Sequence, residues 1–489
     1  MIEMPDNIAG GRNSKGATRD VVNPSTMEVI GNVPMMTLEE VRESIDRAHE
    51  TFQSYSSLPS SKRRSFFKKA AELIDKDLER LAQLMSAEIG RPIKSARGEV
   101  KRAGFILESC ANEIENISKG SFVPLDIYEY PGGNDNRFAI TVREPMGVVA
   151  SITPFNFPAV SFAHKVGAAL AVGNTIVHKP TISAPLTQLE IAKIMLQSGF
   201  PEGSINVLTG NSGMIGKELT ENDKIRLISF TGSSNVGLEI ASKAMLRGIR
   251  AIMELGGSDA EIILDDADLE KAVDSAVFGR YDYAGQFCNS TKRLIVSSSV
   301  ADRVTATLME RIKKLKVGNA KEENTDVGPL INKDSVAKMH DFVQDSISKG
   351  GRLLFQGEAP QTGTFFPPTL IQTVNDDPNI LRDEVFGPVL PIRVVNDDAE
   401  AVKIVNSSRY GLNASIYSSD FSRAYRLARS LEVGTVVIND TTRLRWDNLP
   451  FGGPKLSGIG RESVHDTMME MTEAKVISYT LGRKDKGKG

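Results

Sequence analysis

The 489-residue sequence holds only two cysteines, Cys110 and Cys288, too few for a disulfide framework and without the paired spacing of a zinc site. That scarcity fits a reducing cytoplasm. The five histidines, His49, His164, His178, His340 and His465, form no metal-spaced cluster, so no metal is expected in the chemistry. No uninterrupted apolar run reaches the roughly 18–20 residues of a membrane span, and the opening MIEMPDNIAGGRNSKG lacks the apolar core of a secretion signal. A surplus of one charge is missing too. Lys and Arg total 59 against 62 Asp and Glu, with signs interspersed, which offers no basic field to nucleic acid or to an anionic membrane.

What is present is ample core material: 40% of residues are hydrophobic, over a length that calls for two or more packed units. From Thr37 to about Gly120 the pattern reads as amphipathic helices, among them SFFKKAAELIDKDLERLAQLMSAEIG with a glycine to close it. SFVPLDIYEY and FAITVREP, separated by PGGNDN, read as a protruding hairpin. Between 146 and 265 the short apolar strands GVVASITP, TIVHK, INVLTG, IRLISF and EIILDD alternate with helices, the grammar of a parallel sheet with crossovers. After Asp268 that grammar repeats, with helices at 268–283, 299–316 and 333–349, and strands at LIVSS, 391–395, 414–417 and 435–439. A helix near 462–472 and the strand KVISYTL follow, then the charged RKDKGKG, which reads as a mobile tail.

Several segments carry reactive side chains. Cys288 in AGQFCNSTKR falls on a loop or helix end, where a thiol is accessible, although a small buried hydrophobe is the commoner fate of a free cysteine. Glu254 ends the apolar run IRAIMELGG, where two glycines permit close backbone approach; a desolvated carboxylate there has the raised pKa of a general base, and an ordinary strand-end glutamate is the alternative. ISFTGSSNVG runs strand, turn, helix with G-x-x-x-x-G spacing from Gly232 to Gly237, and a helix N-terminus with Ser233 can hold a pyrophosphate or be a plain βα turn. Asn156 in ITPFNFPAV sits in a rigid loop suited to an oxyanion donor. Lys179 in TIVHKP stands at a strand end, where open α/β sheets bind ligands.

Taken together, PFNFP, HKP, SFTGSSNVG, ELGG, GQFCNS, DEVFGPV and PFGGPKLSGIGRE resemble the aldehyde dehydrogenase superfamily, in family order over nearly the whole chain. The resemblance implies an α/β protein with a Rossmann-type dinucleotide-binding domain (1–120 and 143–253), an α/β catalytic domain (254–461), and a small β oligomerisation arm with a C-terminal tail (121–142 and 462–489). It implies that Cys288 attacks the aldehyde, that Asn156 with the Cys288 backbone N–H holds the oxyanion, and that Glu254 activates water to hydrolyse the thioester. Lys165 and Glu462 match positions that relay the proton outward in some members. At the cofactor, Lys179 and Glu384 would hold ribose hydroxyls, Phe386 would pack by the nicotinamide ribose, Gly232 and Ser233 would lie at the pyrophosphate, and Ile152, Thr153, Pro154 and Phe155 would line the cleft. A homodimer or homotetramer is the family norm.

One position departs from the pattern. Many NAD-selective members carry a glutamate three residues after the lysine, where this chain has Ile182; without a carboxylate to repel a 2′-phosphate, NADP is expected to be accepted and preferred, with NAD also used. Phe287 beside the nucleophile, with Phe157 and Phe162, points to an uncharged substrate wall. Against that, INDTTRLRWDNLPFGG is similar to the lactaldehyde and glyceraldehyde-type branch, and Arg102, Arg443 or Arg445 could reach an anion. A small hydroxy-aldehyde and a simple aliphatic or aromatic aldehyde both remain open. A phosphorylated or carboxylated semialdehyde, and a cofactor-independent thiol esterase, are the alternatives.

Overall fold

Strands such as Val148–Ile152 and Thr175–Lys179 are buried at every residue, so both faces of their sheet must be covered, as happens when helices flank a parallel sheet. The structure, a computed structural model, describes residues 17–129, 131 and 133–481; the N-terminal segment and the RKDKGKG tail lie outside them. A six-stranded sheet runs in the order Gly458–Ile459, Arg250–Glu254, Ile225–Thr231, Val148–Ile152, Thr175–Lys179, Ile205–Val207. All its pairings are parallel except that of Gly458–Ile459, which closes the edge beside Glu254.

A second sheet has seven strands in the order Arg352–Gln356, Thr369–Thr373, Val389–Val395, Arg293–Ser297, Ala260–Ile263, Asn413–Tyr417, Thr435–Ile438, antiparallel only at its first pair. EIILDD, read from the sequence as part of the first alternation, is a central strand here: Ala260–Ile263 pairs with Arg293–Ser297 and with Asn413–Tyr417. An apolar run shows that a strand is buried but not which sheet receives it. The helical reading of SFFKKAAELIDKDLERLAQLMSAEIG is also refined. Two helices, Ser60–Lys76 and Leu78–Ile89, meet at Asp77, whose carboxylate accepts from Arg80 Nε at 2.9 Å, and Gly90 closes the second at φ 69°.

A further sheet has three strands and contains the segments expected to form the arm. Ser121–Pro124 pairs antiparallel with Arg137–Pro145, which pairs along its whole length with Thr472–Thr480. Phe122, Ile140, Val476, Ile477 and Tyr479 are exposed on it. Where the first sheet meets the site, the helix Pro158–Phe162 passes into a π-helical turn, Ala163–Gly167, before resuming at Ala168. Such insertions cluster at functional sites because they reset side-chain direction, and this one carries His164 and Lys165.

Candidate active site

A cavity of 780 Å³ is lined by strand ends of the six-stranded sheet and by loops that lead into the seven-stranded one, among them Asn156, Glu254, Cys288, Glu384 and Phe386, and by Glu462. A second, of 540 Å³, is lined by Ile152, Thr153 and Lys179; Pro154, Phe155, Thr231, Gly232 and Ser233 border both, so the two form one continuous cleft. The expected residues from distant parts of the chain therefore gather in one place, with the exception of Lys165 and Ile182, which line neither cavity.

Cys288 is half-buried in a loop that enters the strand Arg293–Ser297. Ahead of it Tyr283 and Ala284 adopt left-handed backbone (φ 48° and 52°), a costly geometry for residues with a Cβ. The bend is clamped by Gln286: its Nε2 donates to the Pro329 carbonyl at 3.1 Å, and its Oε1 accepts from the Ile331 N–H at 2.9 Å. Burial pushes the Cys288 thiol up to about 12, opposed by the ammonium of Lys292 and reinforced by Glu384 and Asp259. Asn156 donates one amide N–H to the Gln286 carbonyl at 2.9 Å, which orients the side chain and leaves its second N–H for the cavity. Arg91, stacked over Phe157, donates to the Asn156 carbonyl at 3.3 Å and pairs with the buried Glu99.

Glu254 and Glu462 are both buried, yet their environments drive them apart. Neither oxygen of Glu254 has a hydrogen-bond partner; burial and the neighbouring Glu462 push its carboxyl well above the usual range. Burial opposes ionisation of Glu462 as well, but Lys165, His164 and Arg445 hold it below that range. Lys165 Nζ donates to Glu462 Oε2 at 2.7 Å and to Ser229 Oγ at 3.1 Å, while Arg445 donates to Oε1 at 2.9 Å. The two carboxyls are thus driven in opposite directions, Glu254 toward its protonated form and Glu462 toward its ionised form, the separation that distinguishes proton-transfer partners. The glycines around Glu254 have no room for a side chain: a Cβ on Gly256 would stand 2.6 Å from Glu384 Oε2, and one on Gly452 2.9 Å from Glu254 Oε1.

The second cavity fits a dinucleotide. The helix Ser234–Leu246 opens onto it with its N-terminus, the Ser233 hydroxyl is not spent on capping, and a Cβ on Gly216 would meet nothing within 4 Å. Lys179 Nζ donates to the Pro180 carbonyl at 3.1 Å, and burial lowers it to about 8. Glu384 Oε1 accepts from the Gly257 N–H at 3.1 Å, and Phe386 meets Phe155 edge-on at 6.0 Å. The Thr153 hydroxyl is committed to Gln188 at 2.7 Å. Ile182 turns into the hydrophobic core, and Thr181 takes its place on the cavity wall.

Two members of the expected aromatic substrate wall are corrected by the structure. Phe287 and Phe162 are fully buried and do not line the cavity; of the three, only Phe157 does. Phe287 lies under Arg443, whose guanidinium carbon is 3.3 Å from the ring centroid and which pairs with Asp282 at 3.1 Å; aromatic lining comes instead from Phe157, Phe278, Phe342 and Phe451. The physical reason is that adjacency to Cys288 in sequence reverses direction in space at a bent loop. Arg102, Arg443 and Arg445 all line the cavity, paired with Asp447, Asp282 and Glu462. Gln286, Arg91, Glu99 and Lys292 were not singled out from sequence; the GQ before the cysteine was the one available signal.

This arrangement, a thiol, an oriented amide and a buried carboxyl in a cleft that reaches a helix N-terminus, matches a known class. The aldehyde dehydrogenase family model covers residues 12–477, and the chain belongs to that family. It is an NAD(P)-dependent aldehyde dehydrogenase. It is similar to a lactaldehyde dehydrogenase of Methanocaldococcus jannaschii, 40% identical over 463 residues, which cover 94% of this chain and 96% of that protein. A 3-sulfolactaldehyde dehydrogenase of Priestia aryabhattai is 37% identical over 466 residues, 94% of this chain and 95% of the relative. The crystal structure of a glyceraldehyde-3-phosphate dehydrogenase from Methanocaldococcus jannaschii, complexed with NADP, matches with a TM-score of 0.89 at 39% identity, covering 94% of this chain and 99% of that one. Among the described residues no helix is long and apolar enough to cross a membrane.

Proposed function

We propose that the chain oxidises a small hydroxy-aldehyde to its carboxylate through covalent intermediates on Cys288. The reading is carried by the single cleft that joins Cys288, Asn156 and Glu254 to Lys179. Cys288, once deprotonated, adds through Sγ to the aldehyde carbon. The oxyanion of the thiohemiacetal accepts hydrogen bonds from the second N–H of Asn156 and from the Cys288 backbone, donors positioned before charge develops. A dinucleotide held in the adjoining cavity would supply the hydride acceptor that the oxidation of the thiohemiacetal to the thioester requires. Glu254 as carboxylate then removes a proton from the water that attacks the thioester, and Glu462 with Lys165 passes that proton outward. Lys179, Glu384, Phe386, Gly232 and Ser233 bind the dinucleotide.

NADP is the preferred cofactor in this reading, with NAD used less well. Lys179, Lys217 and Lys243 line the second cavity, and the one carboxylate among its described lining residues, Glu239, is held by Lys243 at 2.7 Å. A second substrate reading has its own support: Arg443 offers a guanidinium at the cavity wall, suited to an anionic group on the hydroxy-aldehyde. The test follows cofactor reduction with lactaldehyde, glyceraldehyde 3-phosphate and 3-sulfolactaldehyde against benzaldehyde, with NADP and NAD. A hydroxy-aldehyde is expected to give the highest kcat/KM, and anionic ones to lose most of theirs in Arg443→Leu. Turnover of benzaldehyde alone sinks the substrate reading, and a strong NAD preference sinks the cofactor reading. The arm, with its exposed apolar face, is proposed to join two or four chains, which light scattering would weigh.

A further inference from the structure

A buried ammonium is costly unless its donors are spent and its charge is balanced. Lys292 is 0% exposed, and it lies in the segment that carries the nucleophile. Its Nζ donates to the Phe287 carbonyl at 2.8 Å and to the Cys288 carbonyl, and stands 3.9 Å from Glu384 Oε1. The first of these bonds matters most. The Phe287 carbonyl and the Cys288 N–H are the two ends of one planar peptide group, so a cation on the oxygen draws electron density away from the nitrogen and makes its N–H a stronger donor. That N–H is the backbone half of the oxyanion site.

We propose that Lys292 is a positioning residue of the reaction. It polarises the Phe287–Cys288 peptide, so that the Cys288 N–H binds the oxyanion more tightly, and it fixes both carbonyls of the nucleophile's turn. Its charge, held at the Cys288 carbonyl, also favours ionisation of the Cys288 thiol against burial and the neighbouring carboxyls. Burial opposes this charge most and lowers the pKa of Lys292; Glu384, Asp259 and Cys288 sustain it and Arg280 opposes it, while Cys288 faces these two carboxyls and Arg445 as well. A space-filling lysine would touch neither property. The inference rests on the Cys288 chemistry proposed above.

Lys292→Met and Lys292→Arg test it on the full-length protein with two readouts that need no cofactor. One is the pH profile of Cys288 alkylation by iodoacetamide, read by mass spectrometry of the Cys288 peptide; the other is kcat for p-nitrophenyl acetate. In Lys292→Met the alkylation midpoint is expected to rise by about one pH unit, and esterase kcat to fall about tenfold with KM within about twofold, less than the loss on deleting an oxyanion donor. Lys292→Arg, which keeps the charge, is expected to retain the wild-type midpoint. A wild-type alkylation profile and esterase kcat in folded Lys292→Met would overturn the proposal. Should the Met variant not fold, the Arg variant decides: a midpoint moved by more than about one unit overturns it. If wild-type Cys288 is not the labelled or acylated residue, the underlying thiol mechanism fails instead, and the two failures are told apart.

Discussion

The two sheets meet at the cleft by opposite edges. The six-stranded sheet contributes groups from the carboxyl ends of its strands: Asn156 just beyond Ile152, Lys179 and Glu254 as the last residues of theirs, and Gly232 after Thr231. This is where open parallel sheets ordinarily bind ligands. The seven-stranded sheet contributes from its amino edge, with Cys288 ahead of Arg293–Ser297 and Glu384 ahead of Val389–Val395. Bonding differs accordingly. The first edge holds unspent capacity: Glu254 has no partner, and Asn156 keeps one N–H. The second is clamped by Gln286 and Lys292 from within. In the mechanism proposed above, the edge with free donors and acceptors receives ligand and water, and the clamped edge fixes the atom that forms the bond.

If that division is right, substitutions on the two edges give different kinetics. Cys288→Ala has the largest effect, a loss of turnover on the order of 10⁴-fold or more, since the covalent route vanishes with it; full activity in that variant breaks the comparison outright. Glu254→Gln comes next. Acylation is expected to survive as a stoichiometric burst of reduced cofactor, while steady-state kcat falls about 10²-fold; loss of the burst would place Glu254 with the nucleophile.

The same substitution has a pH signature. Because the folded-state pKa of Glu254 is raised, its base form appears only as pH increases, so the rise of kcat with pH should flatten in Glu254→Gln. Ionisation of a carboxyl with raised folded pKa costs stability above the unfolded pKa, so the Gln variant should gain Tm relative to wild type, and more at pH 8 than at pH 5. The smallest effect is expected for Lys179→Met. KM for the cofactor should rise about tenfold with kcat nearly unchanged, the mark of lost ground-state binding. A matching fall in kcat would show that the first edge also serves the chemistry.

Much of this was legible in the chain because the relevant segments bear residues with local consequences. ELGG announces close backbone approach, and Gly256 indeed leaves no room for a Cβ against Glu384. PFNFP and SFTGSSNVG mark a rigid loop and a strand-to-helix turn, and both border the cleft. Direction within a loop was not legible. Phe287 and Ile182 flank important residues in sequence, yet both turn into the interior, leaving Arg443 and Thr181 on the walls. Gln286 and Lys292 escaped notice because they act on backbone carbonyls and N–H groups, which carry no residue signature.

The order and chemistry of the motifs therefore established the family and the α/β fold, since periodicity and residue type follow directly from local physics. The tertiary structure alone decided which sheet takes Ala260–Ile263, which of two buried glutamates has its pKa raised and which lowered, and what faces the thiol. Those outcomes depend on contacts between segments far apart in sequence. Lys165 and Arg445 converge on Glu462 from separate elements, and no reading of either segment could supply the distance between them.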